Sequence, residues 1–177
     1  ESSLIDTIRM RFDHLGEFFA LSAELDPVHE YSVAWIDYLA KGREQGRGVF
    51  TVGTHSEQGP LQVESSCSLR IPIRPPLSLV NPLSLNIFNR SYWHLQPAGR
   101  ERQTTPYSSF FYPLDRIERW NRVYGRKGFQ QFQCVLPESV AEVALAQLLK
   151  SIAASGTGSF LAVLKRCGDV VSPGLLS

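Results

Sequence analysis

Only three of the 177 residues are cysteine, Cys67, Cys134 and Cys167, and no CxxC spacing or neighbouring histidine joins them. That arrangement offers neither a zinc site nor a disulfide framework, and an odd number fits buried thiols or a reducing compartment. The four histidines, His14, His29, His55 and His94, lack HxxxH or HxH pairing, which argues against a metal centre. No GxSxG or Cys/His signature supports a nucleophilic triad. GxGxxG and the P-loop pattern are missing too, since the glycines at 46, 48 and 53 do not open a helix.

Charge of one sign is also lacking: 18 Lys and Arg face 17 Asp and Glu, so no basic field marks a nucleic-acid partner. No apolar run approaches the roughly 18 residues of a transmembrane segment. The charged opening from Glu1 to Arg11 does not read as a signal peptide, and the expectation is a soluble, cytoplasmic protein. What is present, 43% hydrophobic residues at a net charge of +1, excludes wholesale disorder and suits one domain over 1–177 with its own core.

Period-2 alternation over Ile5–Phe12 predicts a half-buried strand with Ile8, Met10 and Phe12 facing inward. Asp13 is the expected N-cap of a helix carrying Leu15, Phe18, Phe19, Leu21 and Leu25, which Asp26-Pro27 ends. Strands follow over Tyr31–Asp37 and Gly48–Gly53, and their adjacency suggests a hairpin. From His55 to Val80 the chain is a long Ser- and Pro-bearing connection of the kind that serves as a lid. Asn81-Pro82 starts a predicted helix that ends before Pro97. Tyr107–Tyr112 reads as a strand, and Ile117, Trp120 and Val123 as a helical stripe.

In the last third, Phe129–Leu136 is a predicted strand and Pro137-Glu138-Ser139 a helix start. Val140, Val143, Ala144, Leu148, Leu149 and Ile152 form its expected buried stripe, with Gly156 as the stop. Phe160–Lys165 is the final strand. The predicted class is α+β: a largely antiparallel sheet with helices packed on one face and ferredoxin-like βαβ halves.

Three groups of residues stand out chemically. Gln131 and Gln133 project from one face of the strand predicted over Phe129–Leu136; that face is either solvated or a polar floor for a ligand, because an unmet buried amide group costs about 1–3 kcal/mol. Lys165 ends an apolar run and either reaches solvent or points into a polar cleft. Trp35 and the run Phe110-Phe111-Tyr112 are core or pocket wall; three successive aromatics on a strand cannot all face inward. The arginines between Arg100 and Arg126, with Lys127, are interrupted by Asp115 and Glu118 and read as a solvated face, so no nucleic acid is expected.

Several stretches taken in order resemble one family. Tyr31-Ser32-Val33-Ala34-Trp35-Ile36-Asp37, Phe110-Phe111-Tyr112-Pro113-Leu114-Asp115, Glu118-Arg119-Trp120-Asn121-Arg122-Val123-Tyr124-Gly125, Gly128-Phe129-Gln130-Gln131-Phe132-Gln133 and Ser159-Phe160-Leu161-Ala162-Val163-Leu164-Lys165 are similar to the C-terminal half of FAD-linked oxidases of the vanillyl-alcohol-oxidase superfamily, notably the oxidase components of the decaprenylphosphoryl-β-D-ribose 2-epimerase type. The resemblance implies a substrate-binding or cap domain that closes over FAD held by a separate N-terminal FAD-binding domain, its partner in the same protein. It implies oxidation of a hydroxyl on a sugar-like or other alcohol substrate by hydride transfer to flavin.

By the same resemblance Gln131 and Gln133 face substrate and flavin, Gln133 being the cofactor-facing residue. Lys165 meets substrate oxygens, while Phe111, Tyr112 and Trp35 line the pocket, and segments near 60–90 and 113–127 act as lids. Phe111 stands where that type carries tyrosine and Ala162 where it carries asparagine; both changes remove polar groups and bear on which substrate is taken. The chain shows no flavin-linking or pyrophosphate motif of its own, so the expectation is that it neither holds FAD tightly nor turns over alone. The alternative from another class is a standalone small-ligand-binding or regulatory module without redox chemistry.

Overall fold

The computed structural model describes residues 2–62, 69–72, 80–126, 128–156 and 161–168. Cys67, Lys127 and Phe160, and much of the expected lid near 60–90, lie outside the described residues.

Strand β1 (Leu4–Phe12) realises the alternation, burying Met10 and Phe12 on one side and Ile5 and Thr7 on the other. Helix α1 (Leu15–Leu25) buries Leu15, Phe18, Ser22 and Leu25 at three- and four-residue spacing. Its N-cap is His14, one residue later than expected: His14 Nδ1 accepts the Glu17 amide at 3.2 Å, and the Glu17 carboxylate accepts the Asp13 amide at 2.7 Å. The reciprocal pair satisfies two amides that a helix start otherwise leaves open.

Strands β2 (Tyr31–Ile36) and β3 (Gly48–His55) form the expected hairpin, with Trp35 opposite Val49 and Ile36 opposite Gly48. Gly48 permits this closeness, since a Cβ there would lie 2.1 Å from the Trp35 carbonyl oxygen. After a two-residue strand β4 (Leu69–Arg70), helix α2 (Pro82–His94) starts at the predicted Asn81-Pro82, where Asn81 and Ser84 form a capping box.

Strand β5 (Glu101–Pro106) was not legible in the sequence: among the described residues it pairs only with β1, and its outer residues Glu101–Thr104 are exposed, so no apolar alternation marks it. Tyr107–Tyr112, expected as a strand, is instead the short helix α3 (Tyr107–Phe111) with Tyr112 as its cap. The helix expected around Ile117–Val123 is replaced by 3₁₀ turns at Pro113–Arg116 and Trp120–Tyr124 flanking strand β6 (Ile117–Glu118), which pairs in parallel with β4. Pro113 favours this break, because it supplies no amide to a continuing helix.

Helix α4 (Glu138–Ser155) begins after Pro137, and Gly156 closes it in the left-handed region at φ 68°. Its buried stripe is Leu145, Leu149 and Ala153; Val140 and Val143, expected inside, are exposed. Strand β7 (Val163–Leu164) ends the described fold.

The main sheet runs β5-β1-β3-β2-β7, antiparallel throughout. The succession β1-α1-β2-β3-α2-β5, with β3 inserted between β1 and β2, gives the strand order of a split βαβ arrangement in an α+β domain, but α2 sets Tyr92 on Trp35 and Trp93 on Arg11 at the face opposite α1, so the helices are not confined to one face as expected. Helices α1 and α4 cover the sheet face bearing Met10, Phe12, Ala34, Ile36, Phe50 and Val52. There the ring of Phe18 lies 5.8 Å from Phe12 and 5.7 Å from Phe50. The strand expected over Phe129–Leu136 has no regular secondary structure and no ladder partner among the described residues, leaving Phe132 and Val135 exposed. Alternation prepares a segment for pairing, but a strand exists only where a neighbour supplies its hydrogen bonds. No helix among the described residues is long and apolar enough to cross a membrane.

Candidate functional site

The sheet face opposite α1 and α4 carries the chemistry. Alternation sends Tyr31, Val33 and Trp35 of β2 to that side, and the register sets Thr7-Gly53-Tyr31, Arg9-Thr51-Val33 and Arg11-Val49-Trp35-Val163 in three cross-strand rows. At one end Gly53 makes room for Phe110, whose ring atoms come within 3.0 Å of the place a Cβ would occupy. Tyr31 meets Phe111 edge-on at 4.8 Å and Phe110 at 6.2 Å. At the other end Trp35 meets Tyr92 of α2 edge-on at 4.7 Å. Tyr31 and Trp35 are four residues apart on one strand, about 13 Å, with Val33 between them. This is a shelf with aromatic walls at both ends and a mixed floor, Val33 beside Thr51 and Arg9, the composition of a small-molecule site.

A buried polar network below the Trp35 end escaped the sequence reading. Asp37, 2% exposed, follows β2 directly, and Arg47, 6% exposed, precedes β3. Arg47 Nε and Nη2 donate to Asp37 Oδ2 at 3.1 and 2.9 Å. The other carboxylate oxygen accepts Asn89 Nδ2 of α2 at 2.9 Å and the Leu39 amide at 3.2 Å. Arg47 and Arg11 lie 5.0 and 4.4 Å from the Trp93 ring centre, and the Trp93 indole donates to the Phe12 carbonyl at 3.1 Å. The network fastens α2 to the hairpin and so holds Tyr92 against Trp35. Its available signal was opposite charges bracketing a hairpin ten residues apart, Asp37 after one apolar strand and Arg47 before the next.

A separate groove of about 470 Å³ lies along β5 and β1, lined by Asp6, Ile8, His29, Thr54, Arg102 and Thr104 among others. Its Asp6 carboxylate is already engaged by the Thr104 hydroxyl at 2.6 Å. The aromatic rows, not this open groove, unite the residues singled out in the sequence.

No family model matches the chain. Over 149 residues it is 28% identical to the decaprenylphosphoryl-β-D-ribose oxidase of Mycolicibacterium smegmatis, a match covering 79% of this chain. The chain is a relative of that oxidase. It spans about a third of the length of this curated relative, 32%.

Against this relationship, the six site residues expected from the sequence fall into two groups. Trp35, half-buried on β2, Phe111 at the end of α3 and the exposed Tyr112 beside it belong to the aromatic shelf. Lys165 lies just past β7, exposed, two residues after the Val163 that pairs with Trp35, so alternation carries it toward the same side. Gln131 and Gln133 are exposed on the irregular 129–136 segment, and no ladder among the described residues joins them to the shelf. The root of that segment is held where Phe129 packs on Tyr124 at 4.6 Å and Trp120 at 5.2 Å. Ala162 contributes only its carbonyl, which accepts the Ile36 amide at 3.0 Å.

Proposed function

We propose that this chain is the substrate-binding part of an FAD-dependent oxidoreductase that oxidises a hydroxyl group of a sugar-like or other alcohol substrate, with FAD held mainly by a separate FAD-binding domain of the same protein. The observation that carries the reading is the aromatic shelf: Trp35 and Phe111, far apart in sequence, border one sheet face, with Tyr112 beside Phe111, in a chain similar to a decaprenylphosphoryl-β-D-ribose oxidase. The shelf fits the substrate side of a flavin site rather than its holder. Gly48 is pressed on the Trp35 carbonyl and Gly53 is filled by Phe110, so neither presents the open backbone that pyrophosphate needs.

Flavin, when bound, supplies the acceptor for the hydride. The residues of this chain orient and dry the substrate: Trp35 and Phe111 wall the ring and exclude water, Val33 floors it, and the Lys165 ammonium meets substrate oxygens. Gln131 and Gln133 hold the carbinol by hydrogen bonds once the Phe129–Leu136 segment lies across the shelf, Gln133 on the flavin side.

Anaerobic mixing of the flavin-loaded protein that contains this chain with hydroxylated substrates tests the reading. Loss of the visible flavin band on addition of a sugar-type alcohol is the expected result. A flavin band unchanged by furanoside, pyranoside and simple alcohol substrates alike would overturn it.

A further inference from the structure

The groove along β5 and β1 lies on the sheet face opposite the aromatic shelf. Asp6 and Ile8 alternate with Thr7 and Arg9 of the shelf rows, so they turn to the same side as Met10 and Phe12. Helices α1 and α4 cover Met10 and Phe12, but Asp6 at the far end of that face is exposed. The register builds two adjacent rows there, Thr104-Asp6-Thr54 and Arg102-Ile8. His29, just past the turn Asp26–Val28 that ends α1, completes the lining.

Opposite charges line this groove without pairing. Asp6 and Arg102 are diagonal neighbours across the ladder, a separation of about 7–8 Å that a long side chain bridges. Yet no ion pair joins them, and Arg102 has no hydrogen-bond or ion-pair partner among the described residues. One Asp6 carboxylate oxygen accepts the Thr104 hydroxyl at 2.6 Å, which leaves the second open. His29 Nδ1 faces the Leu25 carbonyl at 2.9 Å and must donate to it, so in the uncharged ring Nε2 is an acceptor.

The free Asp6 oxygen, the Thr54 hydroxyl and His29 Nε2 are three acceptors, the number that a primary ammonium satisfies with its three N–H donors. The Arg102 guanidinium presents paired donors of the geometry that a carboxylate accepts. Ile8, two residues from Asp6 and opposite Arg102, supplies an apolar floor between the two charges. A simple amine would leave Arg102 bare, and a simple acid would leave Asp6 bare. The volume, about 470 Å³, is that of a small-molecule site, about 300–1,000 Å³.

We propose that this groove binds a free amino acid, with the ammonium on Asp6, Thr54 and His29, the carboxylate on Arg102 and the side chain over Ile8. The site is separate from the shelf and does not depend on the flavin reading.

Calorimetric titration of the protein that contains this chain tests the proposal with L-leucine, isoamylamine and N-acetyl-L-leucine. The amine lacks the carboxylate, and the acetylated acid lacks the ammonium. L-Leucine should bind, and each analogue should bind at least about tenfold more weakly, the scale of one lost charged hydrogen bond. Arg102→Gln should weaken L-leucine about tenfold and leave isoamylamine unchanged, while Asp6→Asn should weaken L-leucine and leave N-acetyl-L-leucine unchanged. Arg102 is exposed and unpaired, so Arg102→Gln leaves the fold intact, which a thermal melt verifies, and it decides the matter even where Asp6→Asn fails to fold. Trp35→Ala, on the other sheet face, should bind L-leucine as the wild type does. Equal L-leucine affinity in wild type and Arg102→Gln would overturn the proposal, as would no binding of L-leucine or glycine up to about 10 mM. L-Leucine binding lost in Trp35→Ala but kept in Arg102→Gln would overturn it too, by moving the amino acid to the shelf.

Discussion

Replacing Arg47 with alanine should lower stability by about 3–5 kcal/mol, the cost of leaving a buried charge without its partner. Asp37 cannot reach solvent, being 2% exposed, and Arg47 satisfies one carboxylate oxygen with two donors, at 3.1 and 2.9 Å. Among the described residues, only the Asn89 amide and the Leu39 backbone would remain on the carboxylate. Glu44, the other partner of Arg47 at 2.8 Å, is exposed and contributes little, so Glu44→Ala should cost no more than about 1 kcal/mol. Urea denaturation of Arg47→Ala, Asp37→Leu and Arg47→Met/Asp37→Leu separates the terms. The double variant should recover much of the loss, because it removes the stranded charge as well as the bond. A loss under about 1 kcal/mol in Arg47→Ala would show that the network does not fasten α2.

The second large effect concerns the shelf. If the proposed function holds, Trp35→Ala in the flavin-loaded protein that contains this chain should reduce kcat/KM about 100-fold, near 2.7 kcal/mol, the scale on which an aromatic anchor in a ligand site acts. Trp35 lies in the row Arg11-Val49-Trp35-Val163 and is closed on its α2 side by Tyr92. Its removal opens one wall of the shelf while leaving intact the core on the opposite sheet face. Trp35→Phe keeps a ring against Tyr92 and should retain activity within about tenfold of wild type. The flavin spectrum should be unchanged in both variants, and activity of Trp35→Ala within twofold of wild type would remove Trp35 from the site.

Local chemistry made part of this architecture readable beforehand. The alternation of β1, the stripe of α1, the hairpin of β2 and β3, the Asn81-Pro82 start of α2 and the Gly156 stop of α4 each follow from a short-range rule, and each is present. Where a partner decides, short-range rules failed. Exposed β5 exists because β1 offers it a free edge, and the aromatic run Tyr107–Phe111 is helical because Phe110 lodges over Gly53 and against Tyr31. The stripe of α4 is rotated because Leu145 and Leu149, not Val140 and Val143, meet the core formed with α1.

The site divides along the same line. Trp35 was legible as a strand residue facing away from Ala34 and Ile36, since period 2 dictates it. That Phe111 and Tyr112 join its face depends on α3 docking at Tyr31, a tertiary event without a sequence period. Asp37 and Arg47 were invisible because each looks like an ordinary loop charge until the hairpin closes and buries both.

That the shelf on β2 receives the substrate is the central claim, and tryptophan fluorescence during substrate titration tests it most directly, since the chain has three tryptophans, Trp35, Trp93 and Trp120. Trp93 is buried beneath the Arg11 and Arg47 side chains, and Trp120 packs with Tyr124 and Phe129 on the segment leading to the glutamines. A substrate on the shelf should change the emission of the wild-type protein and of Trp120→Phe, and leave Trp35→Phe without that change. A change that survives undiminished in Trp35→Phe but vanishes in Trp120→Phe would contradict the claim and move the binding surface to the 113–129 segment.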